Sequence, residues 1–251
     1  MTHLPPMPGS PAWDGTPFAE IVAHGVNDAR VLKEAGFDAV LVQNSLDRPT
    51  RPTVDALTIA FLTTVAERVR ADVGLATGIN IVKNDGPAAV AIAAATGARF
   101  VRVKHLTGSS YSAEGVLSGN AFETMSVRAR SGARPEVLAD IVEPTSRCSD
   151  PATLVELAVD ALDFGMADGV IVTGHDTAET LELAQSLRGS KPSARIVIGG
   201  RIDADSVERA LRLADAVIIG SALKTTPGIK GAVDLEAARR IVDNARRAQD
   251  G

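Results

Sequence analysis

The chain has 251 residues and a formal net charge of −5, with 45% hydrophobic but only 3% aromatic residues. The apolar content suffices for a buried core of Ala, Val, Leu and Ile, whereas the scarcity of basic patches and stacking aromatics argues against nucleic-acid binding. A single cysteine, Cys148, excludes an internal disulfide framework, and the chain shows neither a secretory signal nor an apolar run of about 18 residues that would span a membrane, so a cytoplasmic protein is predicted.

Short apolar runs alternate with helical patterns along the chain. Strands are predicted at residues 2–5, 37–44, 74–84 (toward the end of this segment), 100–106, 137–142, 169–174, 195–200 and 216–221. Helices are predicted at residues 54–69, 87–97, 152–165, 179–187 and 203–213, from residue 234 onward, and after a Gly/Ser-rich loop at residues 108–119. A repeating unit of roughly 30 residues with this alternation requires parallel strands joined by helical crossovers.

The number of units predicts the fold. Eight β/α units in a chain of this length indicate a single (β/α)8 TIM barrel over residues 1–251, with a doubly wound open sheet as the alternative. The late runs VIV, IVIG and VIIG are apolar on both faces, as strands covered by helices should be. The first strand is very short and lies at the start of the chain. Either the barrel closes weakly there, or the native chain starts further upstream.

Two stretches near the end of the chain have the same sequence pattern. RIVIGGRI, from Arg195, and AVIIGSALK, from Ala216, each place glycine at the end of an apolar run. Barrel active sites lie where strands end, and the loops after the seventh and eighth strands often bind phosphate through backbone N–H groups. The pair therefore predicts a phosphate site, although glycines also simply end strands. The predicted phosphate ligands are Gly199, Gly200, Arg201, Gly220 and Ser221.

Charged residues within apolar strands are costly unless they pair or face a cavity. Arg102 and Lys104 lie two apart on the fourth strand, so their side chains share a face, and Asp140 lies within the fifth. These residues form either a buried layer of salt bridges or the floor of an active site. The two interpretations are compatible if Arg102 and Asp140 form a structural pair while Lys104 stays free. A lysine in such a pocket can act as a base or as a Schiff-base nucleophile. The predicted catalytic residues are Lys104, Asp140, Arg102 and His3, the last beside the end of the first strand.

Other strand ends carry polar residues that we predict to bind substrate. They are Gln43, Asn44, Asn80, Asn84, Asp85, Thr173 and Gly174. Asp85 could accept a sugar hydroxyl or cap the following helix. A metal version of the site would use Asp140, Asn80, His3 and Asp85, but no HxH or HExxH spacing supports it, and neither a metal nor another cofactor is predicted.

The segments HLPPMPGSP, AGFDAVLVQNSLDRP, GINIVKND, LADI, VIVTG and AVIIGSALK resemble the BtpA/SgcQ family, in order, over nearly the whole chain. The resemblance implies a ribulose-phosphate-binding type of (β/α)8 barrel; one member is named for the accumulation of photosystem I, and others are associated with carbohydrate metabolism. The family pattern carries over at His3, Asn44, Asp47, Asn80, Asn84, Asp85, Arg102, Asp140, Thr173, Gly174, Gly220, Ser221 and Lys224.

The departures from the family pattern cluster at strand ends. The family usually has Glu at Gln43, Asn at Lys104, a Lys-His pair where this chain reads Glu143-Pro144-Thr145, and Gly-Ser-Gly where it reads Gly199-Gly200-Arg201. Because an acid is neutralised, a lysine gained and a basic pair lost, we expect a divergent member with its own substrate, as in a specialised biosynthetic pathway.

The leading hypothesis is an enzyme acting on a small phosphorylated metabolite, such as a sugar phosphate or a nucleotide-like compound. Lys104 and Asp140 would move protons next to a carbonyl, in isomerase, epimerase or lyase chemistry. The alternative is a non-catalytic BtpA-like assembly or regulatory factor that binds a phosphometabolite. The expected partners are the phosphorylated substrate and, because a short first strand could need cover, a second copy in a homo-oligomer, with neither nucleic acid nor membrane.

Overall fold

Eleven strands appear in the computed structural model, which describes residues 1–149 and 152–248. In chain order they are β1 (Thr2–His3), β2 (Ala39–Gln43), β3 (Ala76–Asn80), β4 (Phe100–Val103), β5 (Ser109–Ser112), β6 (Gly115–Ser118), β7 (Glu136–Val142), β8 (Arg147–Cys148), β9 (Gly169–Val172), β10 (Ile196–Ile198) and β11 (Ala216–Val217). Eight of them form one sheet in the order β1-β2-β3-β4-β7-β9-β10-β11, and every pair in this sheet is parallel. This sheet confirms the predicted TIM-barrel-like α/β fold.

Helices connect the strands of the large sheet. They are α1 (Phe18–Ala35), α2 (Ala56–Val73), α3 (Gly86–Thr96), α4 (Ala121–Arg130), α5 (Leu154–Val159), α6 (Thr177–Ser190), α7 (Val207–Leu213) and α8 (Leu235–Arg247). A π-helical turn, Asp160–Phe164, extends α5, and a 3-10 turn, Ser221–Leu223, follows β11. Within the described ranges, no helix is long and apolar enough to cross a bilayer.

The ends of the sheet approach each other at β1, which has only two residues and is shorter than the strand predicted at residues 2–5. Thr2 and His3 pair with Val42 and Gln43 of β2. On the other side, the backbone nitrogen of Met1 donates to the carbonyl oxygen of Ile219 at 2.7 Å, just beyond β11. Among the described residues, this hydrogen bond links the residue before β1 to the segment just after β11.

The interior of the barrel holds a small apolar cluster. Leu138, Ile171 and Val197 are buried there, with Phe100 packed against them. The ring of Phe100 fills the space that a side chain on β3 would occupy, because a Cβ atom on Gly78 would overlap it. A much larger apolar core lies between the strands and the surrounding helices, and includes Leu32, Leu62, Ile92, Leu187 and Ile241.

The predicted Gly/Ser-rich loop at residues 108–119 is instead a β-hairpin, and that part of the prediction was wrong. β5 and β6 pair antiparallel, and β8 adds to β5 to form a three-stranded sheet at the C-terminal end of the barrel. The polar composition of SSYS concealed the strand, because only Ser110 and Leu117 of the hairpin are buried. Pairing with β8, more than thirty residues later in the chain, is not visible from local sequence.

Candidate active site

A row of polar side chains lines the interior of the barrel above the apolar cluster. His3, Gln43, Asn80 and Arg102 are register partners on the four strands from β1 to β4, and partners in parallel strands point to the same side. Arg102 pairs in register with Leu138 of the inner cluster, so the whole row faces inward. The structure thus brings together residues that are up to about one hundred positions apart in the chain. We call these four residues the inner polar row.

Arg102 and Asp140 form a buried bidentate ion pair at the base of the site. The Nε and Nη2 atoms of Arg102 donate to the two carboxylate oxygens of Asp140 at 2.8 and 2.7 Å. Nη1 donates to the carbonyl oxygen of Gly199 at 3.2 Å, which ties β4 to the end of β10. Burial alone would lower the pKa of Arg102, but the Asp140 carboxylate raises it above its usual value. Both Asp140 oxygens are therefore occupied by the guanidinium.

Lys104 is also paired, although the sequence argument had left it free. Its Nζ atom lies 3.2 Å from a carboxylate oxygen of Glu143; the Glu143 side chain is buried and that of Lys104 is partly buried. Burial first, and then repulsion from Arg102, lower the pKa of Lys104 below its usual value. Burial would raise the pKa of Glu143, but the Lys104 ammonium and the hydroxyls of Thr145 and Ser146 lower it well below its usual range. The pair combines a carboxylate with an amine that releases its proton more easily than usual.

Glu143 was missed as a site residue, and a β-bulge explains why. Strict alternation from Asp140 would place residue 142 inside the barrel and residue 143 outside. The register of β7 against β9 shifts between Asp140 and Val142, so that Val142 pairs with Val172 instead. One extra residue reverses the alternation and turns Glu143 inward, beside Lys104. The sequence carried the acidic residue but no sign of the bulge.

The Lys104 side chain faces a cleft of about 590 Å³ at the C-terminal end of the barrel. The cleft is lined by loops after β2, β3 and β7 and by the tip of the hairpin, and its lining includes Gln43, Asp47, Thr50, Lys83, Glu114 and Thr145. A larger opening of about 600 Å³ lies at the other end of the barrel, beside Phe37, Phe100 and Arg195. Because barrel chemistry takes place at the C-terminal ends of the strands, the cleft is the better candidate.

Three predicted substrate ligands are fully engaged in holding loops. Asn44 donates to Asp47 at 2.9 Å and accepts from the backbone nitrogen of Val82 at 2.9 Å. Asn84 accepts from the nitrogen of His105 at 2.8 Å and donates to the carbonyls of His105 and Ser118. Asp85 caps α3 and accepts from the nitrogen of Val54. These contacts give the three side chains an anchoring role, so they are not free to bind substrate.

The predicted phosphate ligands lie at the adjacent ends of β10 and β11. The backbone nitrogens of Gly200, Arg201, Gly220 and Ser221 donate no hydrogen bond to any other described residue. Gly199 lies against Arg102 and Thr173, and a Cβ atom there would overlap the Thr173 hydroxyl. Arg201 is exposed and adopts a left-handed backbone with φ of 65°. The two strand ends therefore offer four free N–H donors.

The end of β9 contributes less. The nitrogen of Gly174 already donates to the hydroxyl of Thr180 at 2.9 Å, so it is not free for a ligand. The hydroxyl of Thr173 is buried without a hydrogen-bond partner among the described residues, and so is the side-chain oxygen of Asn80. Both are polar atoms whose hydrogen-bonding capacity is not used within the described residues. The part of the chain that the structure describes contains no group of three or more His, Cys, Asp or Glu residues placed to hold a metal ion.

His3 is buried at the junction of the first and last strands. A Cβ atom on Gly220 would lie 3.2 Å from the His3 ring, so the glycine makes room for the imidazole. Burial first, and then the nearby N-terminal amino group, Lys224 and Arg102, lower the pKa of His3 to about 3. The imidazole is therefore neutral near pH 7, and its buried Nδ1 atom has no hydrogen-bond partner among residues 1–149 and 152–248.

This burial predicts an acid-sensitive fold. The unfolded chain takes up a proton at His3 near pH 6.5, whereas the folded chain does so only near pH 3, so stability falls as the pH drops below 6.5. At pH 5 the loss from this residue is about 2 kcal/mol. Urea unfolding at pH 7 and pH 5 should show a smaller loss in His3→Gln than in the wild type. His175→Gln, on an exposed loop, serves as the control, and identical losses in wild type and His3→Gln would contradict the assignment.

Comparison with known proteins identifies relatives over the whole length. The sequence profile of the BtpA family matches residues 1–247. An uncharacterized protein of Archaeoglobus fulgidus is 36% identical over 98% of this chain and 97% of its own length. The photosystem I biogenesis protein BtpA of Synechocystis is 32% identical over 93% of this chain and 82% of its own.

Solved structures with a similar fold include two enzymes whose names contain a phosphorylated compound. N-(5'-phosphoribosyl)anthranilate isomerase from Pyrococcus furiosus superimposes with a TM-score of 0.57 at 13% identity, covering 88% of this chain and 93% of that one. Orotidine 5'-phosphate decarboxylase from Pyrococcus horikoshii gives 0.55 at 16% identity, covering 93% and 96%. At this identity the likeness shows the fold alone.

Proposed function

We propose that this chain, which belongs to the BtpA family, is an enzyme that acts on a small phosphorylated carbonyl compound at the C-terminal end of its barrel. The observation that carries the proposal is the Lys104–Glu143 ion pair, whose lysine lines the cleft. A partly buried amine with a lowered pKa, next to a buried carboxylate and at the end of a barrel strand, is an arrangement suited to carbonyl chemistry.

The phosphate end of the ligand would lie at β10 and β11. Four free N–H groups at the ends of these strands suit a phosphate, and Arg201 and the Ser221 hydroxyl would add a charge and a donor. The inner polar row and Thr173 would contact the rest of the ligand between this site and the cleft. Thr173 and Asn80 each offer a buried oxygen without a partner for a hydroxyl of the ligand.

Lys104 would act in one of two ways. Its neutral amine could attack the carbonyl carbon and expel water to form a Schiff base, with Glu143 accepting and returning the proton. Alternatively, the amine and Glu143 could move a proton between carbons next to the carbonyl, which gives an isomerase or epimerase. Asp140 was expected to carry this proton transfer, but both of its oxygens are held by Arg102, so Glu143 takes its place in the proposal.

A second candidate is a non-catalytic factor that binds a phosphometabolite through the same glycines. The relative from Synechocystis, whose name assigns it to photosystem I biogenesis, favours this reading. The two candidates differ at Lys104, because a binding factor does not require a reactive amine. Turnover of any phosphorylated carbonyl compound that is lost on removing the Lys104 amine would decide for the enzyme.

Thermal unfolding with and without ligands tests the shared part of both candidates. The panel holds inorganic phosphate, sugar phosphates and nucleotides, each paired with its dephosphorylated form. A ligand at about 100 times its dissociation constant adds roughly 2.7 kcal/mol and should raise the midpoint by several degrees. Stabilisation by phosphorylated forms only is the expected result. Equal shifts with the dephosphorylated forms, or none at all, would remove the phosphate site from the proposal.

A further inference from the structure

The tip of the β5–β6 hairpin reaches across the cleft. Glu114, at the tip, accepts a hydrogen bond from the hydroxyl of Thr50 in the loop after β2. Its second oxygen lies 3.8 Å from Nζ of Lys83, in the loop after β3. That oxygen is buried and forms no hydrogen bond with another described residue. Burial would raise the pKa of Glu114, but the hydroxyls of Thr50 and Ser112 lower it, so the tip carries a carboxylate.

Lys83 is the ammonium group that this carboxylate faces. The residue is 8% exposed, and its Nζ atom donates to the Thr145 hydroxyl at 2.7 Å. At 3.8 Å, the Glu114 oxygen is beyond hydrogen-bond distance. The carboxylate therefore balances the charge of the Lys83 ammonium without accepting a hydrogen bond from it. A buried cation held in this way is well placed to bind a better-fitting anion.

Positively charged side chains outnumber negatively charged ones in the lining of the cleft. Its lining contains three cations, Arg48, Lys83 and Lys104, and two acids, Asp47 and Glu114. Asp47 accepts hydrogen bonds from the backbone nitrogen of Met7 and from the Asn44 amide, so both of its carboxylate oxygens are already held. Arg48 is exposed at the rim and forms no ion pair within the described ranges. If Glu114 moves aside, Lys83 loses its paired carboxylate, while Lys104 stays paired with Glu143.

We propose that Lys83, with Arg48 at the rim, binds a second anionic group of the ligand at the place now held by the Glu114 carboxylate. The ligand would then be an organic phosphate that also bears a carboxylate or a second phosphate. This inference rests on the proposed function and narrows its substrate class. In this proposal the Glu114 carboxylate at the hairpin tip competes with the ligand for Lys83, and the anionic group of the ligand displaces it.

The site connects directly to the reactive pair. The Thr145 hydroxyl accepts from Lys83 and donates to the Glu143 carboxylate, which in turn pairs with Lys104. An anion at Lys83 is therefore linked to the Lys104 amine through only two side chains. The second anionic group would lie close to the reacting carbonyl, whereas the phosphate at β10 and β11 would lie at the far end of the ligand.

Two matched pairs of probes test this assignment. Glycerol 3-phosphate and 3-phosphoglycerate differ by a carboxylate, and fructose 6-phosphate and fructose 1,6-bisphosphate differ by a phosphate. Titration calorimetry of the wild type should show tighter binding of the doubly anionic member in at least one pair, by about tenfold or more. The pair with the larger gain identifies which anion the site prefers.

Two variants locate the effect. Lys83→Met should abolish the preference while leaving the affinity for the singly anionic member within about twofold. Glu114→Gln should instead strengthen binding of the doubly anionic member several-fold, because the substitution removes the carboxylate that competes with the ligand for Lys83. Lys230→Met and Glu182→Gln, both on exposed surface outside the cleft, should leave the preference as in the wild type. Thermal unfolding confirms that each variant is folded.

The possible results distinguish the second anion site at Lys83 from the phosphate site at β10 and β11. If the wild type binds both members of each pair equally, or if Lys83→Met keeps the preference in a folded protein, the second anion site is wrong and the phosphate site stands. Weaker binding of the doubly anionic member in Glu114→Gln would also overturn it, since the carboxylate would then be helping the ligand. If no phosphorylated probe binds, both proposals fall together.

Discussion

Lys104→Met is expected to abolish turnover of a phosphorylated carbonyl substrate, by at least about 100-fold, while phosphate-dependent stabilisation persists. The substitution removes the amine that pairs with Glu143 but keeps most of the buried stem, and the four free N–H groups at β10 and β11 are untouched. If Lys104 forms a Schiff base, borohydride with substrate should add a stable mass at this residue in the wild type and none in the variant. The measurements are a turnover assay and mass spectrometry.

The single variant leaves the Glu143 carboxylate buried without its ammonium, so a folding control is needed. The double variant Lys104→Met, Glu143→Gln removes that charge and should be folded and equally inactive. Lys230→Met, on an exposed loop, should keep wild-type turnover. Wild-type turnover in a folded Lys104→Met protein would rule out a chemical role for Lys104 and favour the non-catalytic candidate. If the wild type turns over substrate but borohydride adds no mass at Lys104, the Schiff base is ruled out and Lys104 acts as an acid or base.

Arg102→Met is expected to lower the free energy of unfolding by about 3–5 kcal/mol, because it leaves the buried Asp140 carboxylate without a partner. Both carboxylate oxygens now accept hydrogen bonds from the guanidinium, and the side chain of Asp140 is fully buried. Urea unfolding at pH 7 measures the loss.

The double variant Arg102→Met, Asp140→Leu is the control for this effect. It removes both charges and replaces them with apolar groups of similar size, so most of the lost stability should return. Arg212→Met, which breaks an exposed ion pair with Glu208, should change the free energy by less than about 1 kcal/mol. If Arg102→Met lost no more than Arg212→Met, the buried pair would not stabilise the base of the site.

The fold was predictable because its signals are local and repeated. Each late strand is a short apolar run ended by glycine or a polar residue, and each is followed by a helical pattern, so eight units could be counted from the sequence alone. The small sheet of β5, β6 and β8 was not predictable, since β8 is a two-residue strand that exists only through pairing with distant β5. Its polar strands carry no apolar alternation that a local pattern could reveal.

The location of the site was easier to predict than the contacts within it. Alternation along β4 predicted one face for Arg102 and Lys104; the register shows Arg102 facing inward, and Lys104, one residue beyond β4, lines the cleft. The partner of Lys104 depended on the bulge in β7, and the roles of Asn84 and Asp85 depended on which backbone groups came near them. Residue type at a strand end therefore indicated a polar site, while tertiary contacts decided which side chains are free to meet a ligand.

The central claim is that phosphate binds at the joined ends of β10 and β11, and amide nuclear magnetic resonance tests it most directly. Titration of ¹⁵N-labelled protein with inorganic phosphate should shift the amide signals of Gly200, Arg201, Gly220 and Ser221 saturably and more than any others, because these N–H groups are free to donate. Saturable shifts elsewhere that leave these four signals unchanged, or no saturable shift at all, would contradict the account.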